Sequence, residues 1–190
     1  MRRWWAILAL LAVGGVLGAG ALLASVEINR HTSTDAFCTS CHSMAHVAAD
    51  PYFARSAHRS NAAGVRPSCG DCHIPATNWF TETYAHAVKG LHDVIAEQTN
   101  DFRDPAAWDK RRVELAHSVR EEMRSQDSVT CRRCHDAAAI QPESQRGQAA
   151  HALMREGRMT CIDCHFNLVH APVPPQISFI RGSGLGGQKK

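Results

Sequence analysis

The most strongly patterned part of the chain is its amino-terminal segment, where 23 consecutive uncharged residues run from Trp4 to Val26. Arg2 and Arg3 precede this run, and Glu27 follows it. At about 1.5 Å per helical residue the run reaches about 35 Å, which exceeds a bilayer hydrocarbon layer of about 30 Å. The pattern therefore predicts a single membrane-spanning helix.

A cleaved signal peptide is the competing interpretation of this segment, because Ala19-Gly20-Ala21 resembles a cleavage site. Apolar regions of signal peptides are about 7 to 15 residues long, so the longer run favours a retained anchor. The basic amino terminus predicts a cytoplasmic start, with the rest of the chain beyond the membrane. Gly14-x-x-x-Gly18 permits close approach of two such helices, which is compatible with a homo-oligomer.

Beyond the anchor, apolar residues recur at helical spacing in two further segments. Asp104-Pro105 is typical of a cap and first turn and predicts the start of the second of these helices. Both are amphipathic, and ordinary core packing would explain their apolar faces, with no cofactor role beyond covering haem faces. The apolar positions are Phe80, Tyr84, Val88, Leu91 and Ile95 in the first, and Trp108, Leu115, Val119 and Met123 in the second.

All eight cysteines fall in four copies of the pentapeptide Cys-x-x-Cys-His, numbered here as motifs one to four. This spacing is that of covalent haem c attachment, in which two thiols bond the vinyl groups and the histidine ligates iron. A disulfide framework would not require the histidines, and two tetrahedral zinc sites would leave ligands unused. The sequence therefore predicts four covalently bound haem c groups. The cysteines are Cys38, Cys41, Cys69, Cys72, Cys131, Cys134, Cys161 and Cys164, and the motif histidines are His42, His73, His135 and His165.

Composition and charge agree with a multihaem protein. Aromatic residues are only 6% of the 190 residues, so the macrocycles must supply much of the buried apolar mass. The formal net charge of +3 omits the haem propionates, which would make the total negative, so it is no evidence for a nucleic-acid partner. Haem c is attached in the bacterial periplasm, which predicts a single-pass inner-membrane protein with a periplasmic haem domain.

The motifs fall into two halves, since the first two begin 31 residues apart and the last two 30 apart. The segments that start at Ala57 and Ala150 share Ala-His, a glycine and Cys-x-Asp-Cys-His, which is typical of duplicated units. We expect a mainly α fold with few or no strands. The predicted parts are an anchor at 1–30, a haem domain of two di-haem halves at 31–180, and a disordered tail at 181–190.

Four haems present eight axial positions, of which the motif histidines fill at most four. His58 and His151 occupy matching places in the two halves, and the repeat predicts both as distal ligands. His170 follows His165 by five residues, too few to reach the opposite face of the same haem, so as a ligand it would serve another one. The remaining histidines are expected to be surface or supporting groups: His31, His46, His86, His92 and His117.

Several of these stretches resemble the NapC/NirT/NrfH family of membrane-anchored tetrahaem c-type cytochromes, in its small CymA-like branch. The similarity is carried by Cys-His-x-Met in motif one, by SAHRSNAAGVRPSCGDCHIP around motif two and by TCIDCHFNLVH around motif four. It implies a quinol dehydrogenase that oxidises menaquinol or ubiquinol. The electrons would pass to a periplasmic terminal reductase in anaerobic respiration.

The resemblance also implies roles for particular residues. Met44 stands where the family provides the proximal ligand of the first haem, whose other face is open to quinol, so Met44 is favoured over His42. A carboxylate and a basic residue follow motif two in the family, and Asp93 with His86 or Lys89 is the nearest match for this quinol site. The other haems are implied to have histidine on both faces.

Two other functions are alternatives. A plain electron carrier would have four six-coordinate haems and no substrate site. A reductase of nitrite or a similar oxyanion is disfavoured, because the sequence contains no Cys-x-x-Cys-Lys motif and no cluster of arginine, tyrosine and histidine that would surround one haem.

Overall fold

The computed structural model describes residues 2–182, with side chains described to residue 179, and this part of the chain is helical with no strands. The mainly α prediction is therefore confirmed. Between the α-helices, one π-helical segment spans Ala85–Lys89. The α-helices are α1 (Arg2–Thr32), α2 (Asp35–Cys38), α3 (His42–Ala49), α4 (Pro51–Arg55), α5 (Cys69–His73), α6 (Trp79–Tyr84), α7 (Gly90–Thr99), α8 (Pro105–Ser125), α9 (Val129–Arg132), α10 (Gln145–Arg155), α11 (Cys161–Cys164) and α12 (Ile177–Gly182).

Helix α1 contains the predicted anchor and continues past it to Thr32. It is the one described helix that is long and apolar enough to cross a membrane, and its most apolar window is not buried by the rest of the chain. At the other end, α12 extends to Gly182, so residues 181–182 of the predicted tail are helical. Residues 183–190 lie outside the described part of the chain.

The end of α1 packs beside α6. Trp79 Nε1 donates to Ser25 Oγ at 3.0 Å, and Asn29 Nδ2 donates to Thr83 Oγ1 at 2.8 Å. Because the contacts advance four residues along each helix, the two helices run in the same direction. The start of α6 therefore lies level with the end of the apolar run of α1.

Helix α6, the π-helical segment and α7 follow one another without a break, which confirms the predicted helix. The expectation that other parts of the polypeptide cover its apolar stripe is wrong, and its expected role in covering haem faces stays a prediction. The opposite face of this helix makes the contacts with α1, through Trp79, Thr83 and His86. The stripe stays between 49% and 75% exposed at Phe80, Tyr84, Val88, Leu91 and Ile95.

Helix α8 forms where the sequence predicts it. The Asp104 carboxylate accepts hydrogen bonds from the N–H groups of Ala106 and Ala107 at 3.1 and 3.3 Å, and Pro105 occupies the first turn. These features satisfy donors that a helix start leaves free. Trp108 on the apolar face is buried.

The polypeptide buries few large apolar side chains. A chain of this size normally buries a far larger apolar core. The deficit is what a fold completed by large apolar prosthetic groups would show. The buried apolar residues of the described part are Ala85, Phe102, Trp108, Met154, Met159, Val173 and Phe179.

Candidate multihaem redox site

Motifs two and four begin short helices with the same cap. Ser68 N–H donates to Asp71 Oδ2 at 2.8 Å, and Asp71 N–H donates back to Ser68 Oγ at 3.2 Å. In motif four, Thr160 N–H donates to Asp163 Oδ2 at 2.7 Å. The aspartate of Cys-x-Asp-Cys-His thus fixes the helical turn that separates its two cysteines.

The first cysteines of the paired motifs contact each other in both halves. A hydrogen bond with Cys69 lowers the pKa of Cys38 to about 7, and the same bond raises the pKa of Cys69. A hydrogen bond with Cys131 lowers the pKa of Cys161 to about 6, and that bond raises the pKa of Cys131. The first cysteine of motif one therefore lies beside that of motif two, and the first cysteine of motif three lies beside that of motif four.

Three motif histidines each face a second histidine ring. Metal–imidazole bonds are about 2.0 Å long, so two imidazoles on opposite sides of one metal have ring centroids about 6 Å apart. Packed aromatic rings also occur at such distances. Here, however, every pair joins one motif histidine to one predicted distal ligand. The centroid distances are 6.1 Å for His58 and His135, 6.1 Å for His73 and His170, and 6.0 Å for His151 and His165.

This pairing crosses between the halves. His58 precedes motif two but faces His135 of motif three, whereas its counterpart in the repeat, His151, faces the histidine of its own motif four. His170 faces His73 of motif two rather than its sequence neighbour His165. The repeat thus identifies two of the paired histidines without giving their partners.

The histidine pairs have chemical properties that suit iron ligation. Burial lowers the pKa of His170 and also that of His165, which keeps both rings neutral near pH 7 and their lone pairs available to a metal. The Nδ1 atoms of His151 and His170 are buried without a hydrogen-bond partner, so these rings are held by packing. The residues present therefore fit haem iron.

Helix α8 holds the loop that carries His170. Arg112 Nη1 donates to the Ala171 carbonyl at 2.9 Å. Arg120, only 5% exposed, donates to Asn167 Oδ1 and to the Val173 carbonyl, both at 2.7 Å. These arginines were not identified from the sequence, because their partners lie more than 40 positions away along the chain.

Motif one differs from the other three. His42 Nε2 accepts a hydrogen bond from Arg103 Nη2 at 2.9 Å, and no histidine ring among residues 2–179 faces His42. Met44, two residues further along α3, is half-buried. Cys38 Sγ lies 3.9 Å from the Thr32 carbonyl oxygen, so motif one sits at the end of the anchor helix.

The five histidines that the sequence does not predict as iron ligands contact other groups of the protein. Those with carbonyl partners must use a ring N–H as the donor. His46 Nε2 donates to the Phe102 carbonyl at 2.7 Å, and His117 Nε2 donates to the Pro174 carbonyl at 2.9 Å. The His86 ring lies between the hydroxyls of Thr32 and Ser33, at 3.1 and 3.0 Å. His31 packs on Phe37, and His92 lies beside Asp93.

The residues predicted for the quinol site share one helix but reach different neighbours. His86 contacts the end of α1, through the hydroxyls of Thr32 and Ser33. Lys89 forms an ion pair with Glu122 of α8. Asp93 remains 79% exposed. Of the three, Asp93 is therefore the least engaged by the rest of the protein.

A second carboxylate lies near motif one. Glu97 accepts a hydrogen bond from the Ser43 N–H, two residues after Cys41, at 3.2 Å. Burial raises the pKa of Cys41, and the negative charge of Glu97 raises it further. Glu97 was not identified from the sequence. Its spacing of four residues from Asp93 on a helix was the available signal.

The described structure does not support a zinc site. Within residues 2–182, no group of three or more histidine, cysteine, aspartate or glutamate side chains is arranged to hold a metal ion. A structural zinc site requires four such ligands, whereas haem iron requires at most two from the protein.

Known proteins share this pattern of motifs. Residues 1–175 match the NapC/NirT cytochrome c family, N-terminal region. A probable tetraheme c-type cytochrome of Nitrosomonas europaea is 40% identical over 84% of this chain and 70% of its own length. The tetraheme c-type cytochrome CymA of Shewanella oneidensis is 35% identical over 90% of this chain and 92% of its own.

Other relatives are longer. The c-type cytochrome TorY of Haemophilus influenzae is 37% identical over 90% of this chain, which spans only 45% of TorY. No solved structure matches the chain. The matched family, together with the tetraheme relatives, shows that the chain belongs to the NapC/NirT family of c-type cytochromes, which are electron-transport proteins, and carries four covalently bound haem c groups.

Proposed function

We propose that the protein is a quinol dehydrogenase, which oxidises quinol from the membrane pool and passes the electrons to a periplasmic terminal reductase. The observation that carries this proposal is the asymmetry among the motif histidines. His73, His135 and His165 each face a second histidine, and His42 does not. This asymmetry supports an open axial position at the haem of motif one, where quinol would bind.

The same geometry supports a specific ligand set. We assign the eight motif cysteines to thioether attachment, and the three facing histidine pairs to the haems of motifs two, three and four. When bound, the haems supply one-electron redox chemistry. For motif one, Met44 is the proposed ligand, because Arg103 already occupies Nε2 of His42. Methionine ligation raises the reduction potential.

The position of motif one suits a membrane-derived substrate. It follows directly on the helix that is long and apolar enough to span the bilayer. Arg2 and Arg3 favour a cytoplasmic amino terminus, which places the haem domain in the periplasm. Quinol would reach motif one from the bilayer beside the packed ends of α1 and α6, along the exposed apolar stripe that begins at Phe80.

Quinol oxidation releases protons as well as electrons, so it requires a base close to the substrate. Asp93 is proposed for this role, because it is largely exposed and lies one turn before Glu97, which contacts Ser43 beside motif one. Lys89 and His86 would hold this helix in place beside the substrate. Lys89 does so through its ion pair with Glu122, and His86 through its contact with Thr32.

The proposal is tested by reducing the full-length holoprotein in detergent with a menaquinol analogue and following haem reduction by stopped flow. We expect rapid reduction that a quinone-site inhibitor abolishes. Asp93→Asn should slow reduction at least tenfold and leave the haem spectra unchanged, because it removes the base and no ligand. Asp109→Asn, at an exposed position on α8, is the matched control. Slow reduction that is insensitive to the inhibitor would instead indicate a plain electron carrier.

A further inference from the structure

The helix that carries Met44 begins without a cap of its own. Its N-cap residue is Cys41, whose side chain makes no capping hydrogen bond. Because this sulfur is the proposed thioether atom of motif one, it is not available as a cap. Motif two avoids the conflict, since its cap, Ser68, precedes the first cysteine.

Glu97 of α7 provides the missing cap from another helix. Ser43 N–H donates to Glu97 Oε1 at 3.2 Å and lies 3.4 Å from Oε2. The Ser43 hydroxyl also donates to Oε1. Ser43 is only 5% exposed, so the contact is shielded from water. The carboxylate takes the place that an N-cap side chain normally fills.

This contact bears directly on the proposed ligand of the first haem. His42, Ser43 and Met44 are the first three residues of α3. A bond that fixes the backbone at Ser43 therefore fixes the neighbouring Met44 relative to Cys41. A negative charge at this helix start also interacts favourably with the helix dipole.

Glu97 and Asp93 occupy successive turns of α7 but differ in their surroundings. Asp93 is largely exposed, whereas Glu97 is bound to Ser43. A carboxylate that bonds the backbone at the start of a neighbouring helix holds that helix in place. It is suited to hold a ligand in place and to act on the first haem through its charge.

We propose that Glu97 is a positioning residue for the first haem: it caps the helix that supplies Met44 and places a negative charge beside motif one. This inference rests on the proposed function in one respect, the assignment of Met44 as an iron ligand. A nearby negative charge stabilises the oxidised state, so Glu97 should hold the potential of the first haem below the value that methionine ligation alone would give.

Two substitutions separate the cap from the charge. Glu97→Gln keeps an acceptor oxygen but removes the charge, and Glu97→Ala removes both. The readouts are the charge-transfer band of high-spin ferric haem with methionine as its only protein ligand, here called the methionine band, and a potentiometric titration of all four haems in the purified full-length holoprotein. Glu143→Gln and Glu143→Ala, at an exposed carboxylate between motifs three and four, are the matched controls.

For Glu97→Gln we expect the methionine band to remain and one of the four midpoint potentials to move upward. For Glu97→Ala we expect at least half of the methionine band to be lost, as α3 loses its cap. The Glu143 variants should change neither readout. Ser43→Ala keeps the N–H donor but removes the hydroxyl, so it should lose less of the methionine band than Glu97→Ala does. The double variant should lose no more of the band than Glu97→Ala alone.

An unchanged band and four unchanged potentials in both Glu97 variants would overturn the inference. Haem content and the signals of the other three haems show whether each variant is folded. If Glu97→Ala does not accumulate, the potential shift of Glu97→Gln decides the matter. A wild-type protein without the methionine band would refute the Met44 assignment instead, and the potential of Glu97→Gln would then still test the effect of the charge.

Discussion

His58 and His135 face each other with ring centroids 6.1 Å apart, although one precedes motif two and the other belongs to motif three. An iron ligated by both would join the two halves of the domain. With that ligation, the duplicated sequence would form a single unit rather than two separable ones. The same holds for His170 and His73, which link the end of the chain to motif two.

This pairing predicts which haem responds to loss of His58. In His58→Ala, the haem of motif three loses its distal ligand, so the high-spin signal of the oxidised protein should increase by one haem in four. The haem of motif two, which is closer to His58 in sequence, should keep its low-spin signal. Electron paramagnetic resonance with spin counting makes this measurement.

His117→Ala is the control for that experiment, since His117 bonds the Pro174 carbonyl and faces no motif histidine. It should leave the spin count unchanged. A low-spin signal lost from motif two instead of motif three would contradict the pairing.

The sequence predicts the local parts of this site well and the long-range parts poorly. Cysteine spacing identifies the attachment motifs, and the Asp104-Pro105 cap marks the start of α8, because these features depend on neighbours along the chain. The identities of His58, His151 and His170 also follow from the sequence. Their partners do not, because pairing depends on how distant segments pack.

The same limit explains why some residues of the site are not evident from the sequence. Glu97 and Ser43 are 54 residues apart along the chain, and Arg120 and Asn167 are 47 residues apart. Contacts between such distant residues produce no periodic pattern in the sequence. The stripe from Phe80 to Ile95 is expected in a core because helical periodicity shows that a face is apolar. Periodicity does not show whether the polypeptide covers that face.

Arg120 should be the most important residue for holding the loop that carries His170. Its guanidinium bonds Asn167 and the Val173 carbonyl in a buried setting, so Arg120→Ala leaves buried acceptors unpaired. We expect a loss of about 2 to 4 kcal/mol in the free energy of unfolding. Denaturant titration of the holoprotein measures this value.

Arg111→Ala is the matched control, because Arg111 forms an exposed pair with Glu114 on the same helix. Exposed pairs contribute about 0 to 1 kcal/mol, so this variant should be close to wild type. Equal losses in the two arginine variants would show that the loop is not held by Arg120.

Gly70 is required where motif two passes the end of the anchor. A Cβ at this position would lie 2.7 Å from the Ser33 carbonyl oxygen, a backbone atom that has little room to move. Gly70→Ala should therefore destabilise the fold by about 1 to 3 kcal/mol. Thermal unfolding, followed by the haem absorbance, provides the measurement.

Gly90→Ala tests the specificity of that effect. Gly90 starts α7, and a Cβ added there would meet nothing within 4 Å, so alanine should be neutral or stabilising by up to about 1 kcal/mol. Loss of stability in Gly90→Ala but not in Gly70→Ala would contradict the close approach of motif two to Ser33.

Asp35 should make stability sensitive to acid. Burial raises the pKa of Asp35, but the Cys69 N–H at 2.7 Å and the Arg59 guanidinium at 2.8 Å outweigh this effect, and the pKa lies below its ordinary value. The ionised carboxylate therefore stabilises the folded state above pH 4 or so, at about the ordinary pKa of aspartate. This stabilisation is lost as the pH falls through the folded-state pKa.

Asp35→Asn removes that dependence on pH. We expect its melting temperature to be lower than that of the wild type at about pH 7 and to approach the wild-type value at about pH 3. Asp109→Asn, at an exposed carboxylate, should follow the wild type throughout. A constant difference between Asp35→Asn and wild type at every pH would show that the charge of Asp35 is not involved.

The most direct test of the proposed quinol dehydrogenase is the spin state of the oxidised full-length holoprotein, counted by electron paramagnetic resonance with and without a quinol analogue. Three haems should be low-spin, with histidine on both faces. One should show high-spin character that changes when the analogue binds, because no histidine among residues 2–179 faces His42. Four low-spin haems that do not respond to the analogue would contradict the proposal.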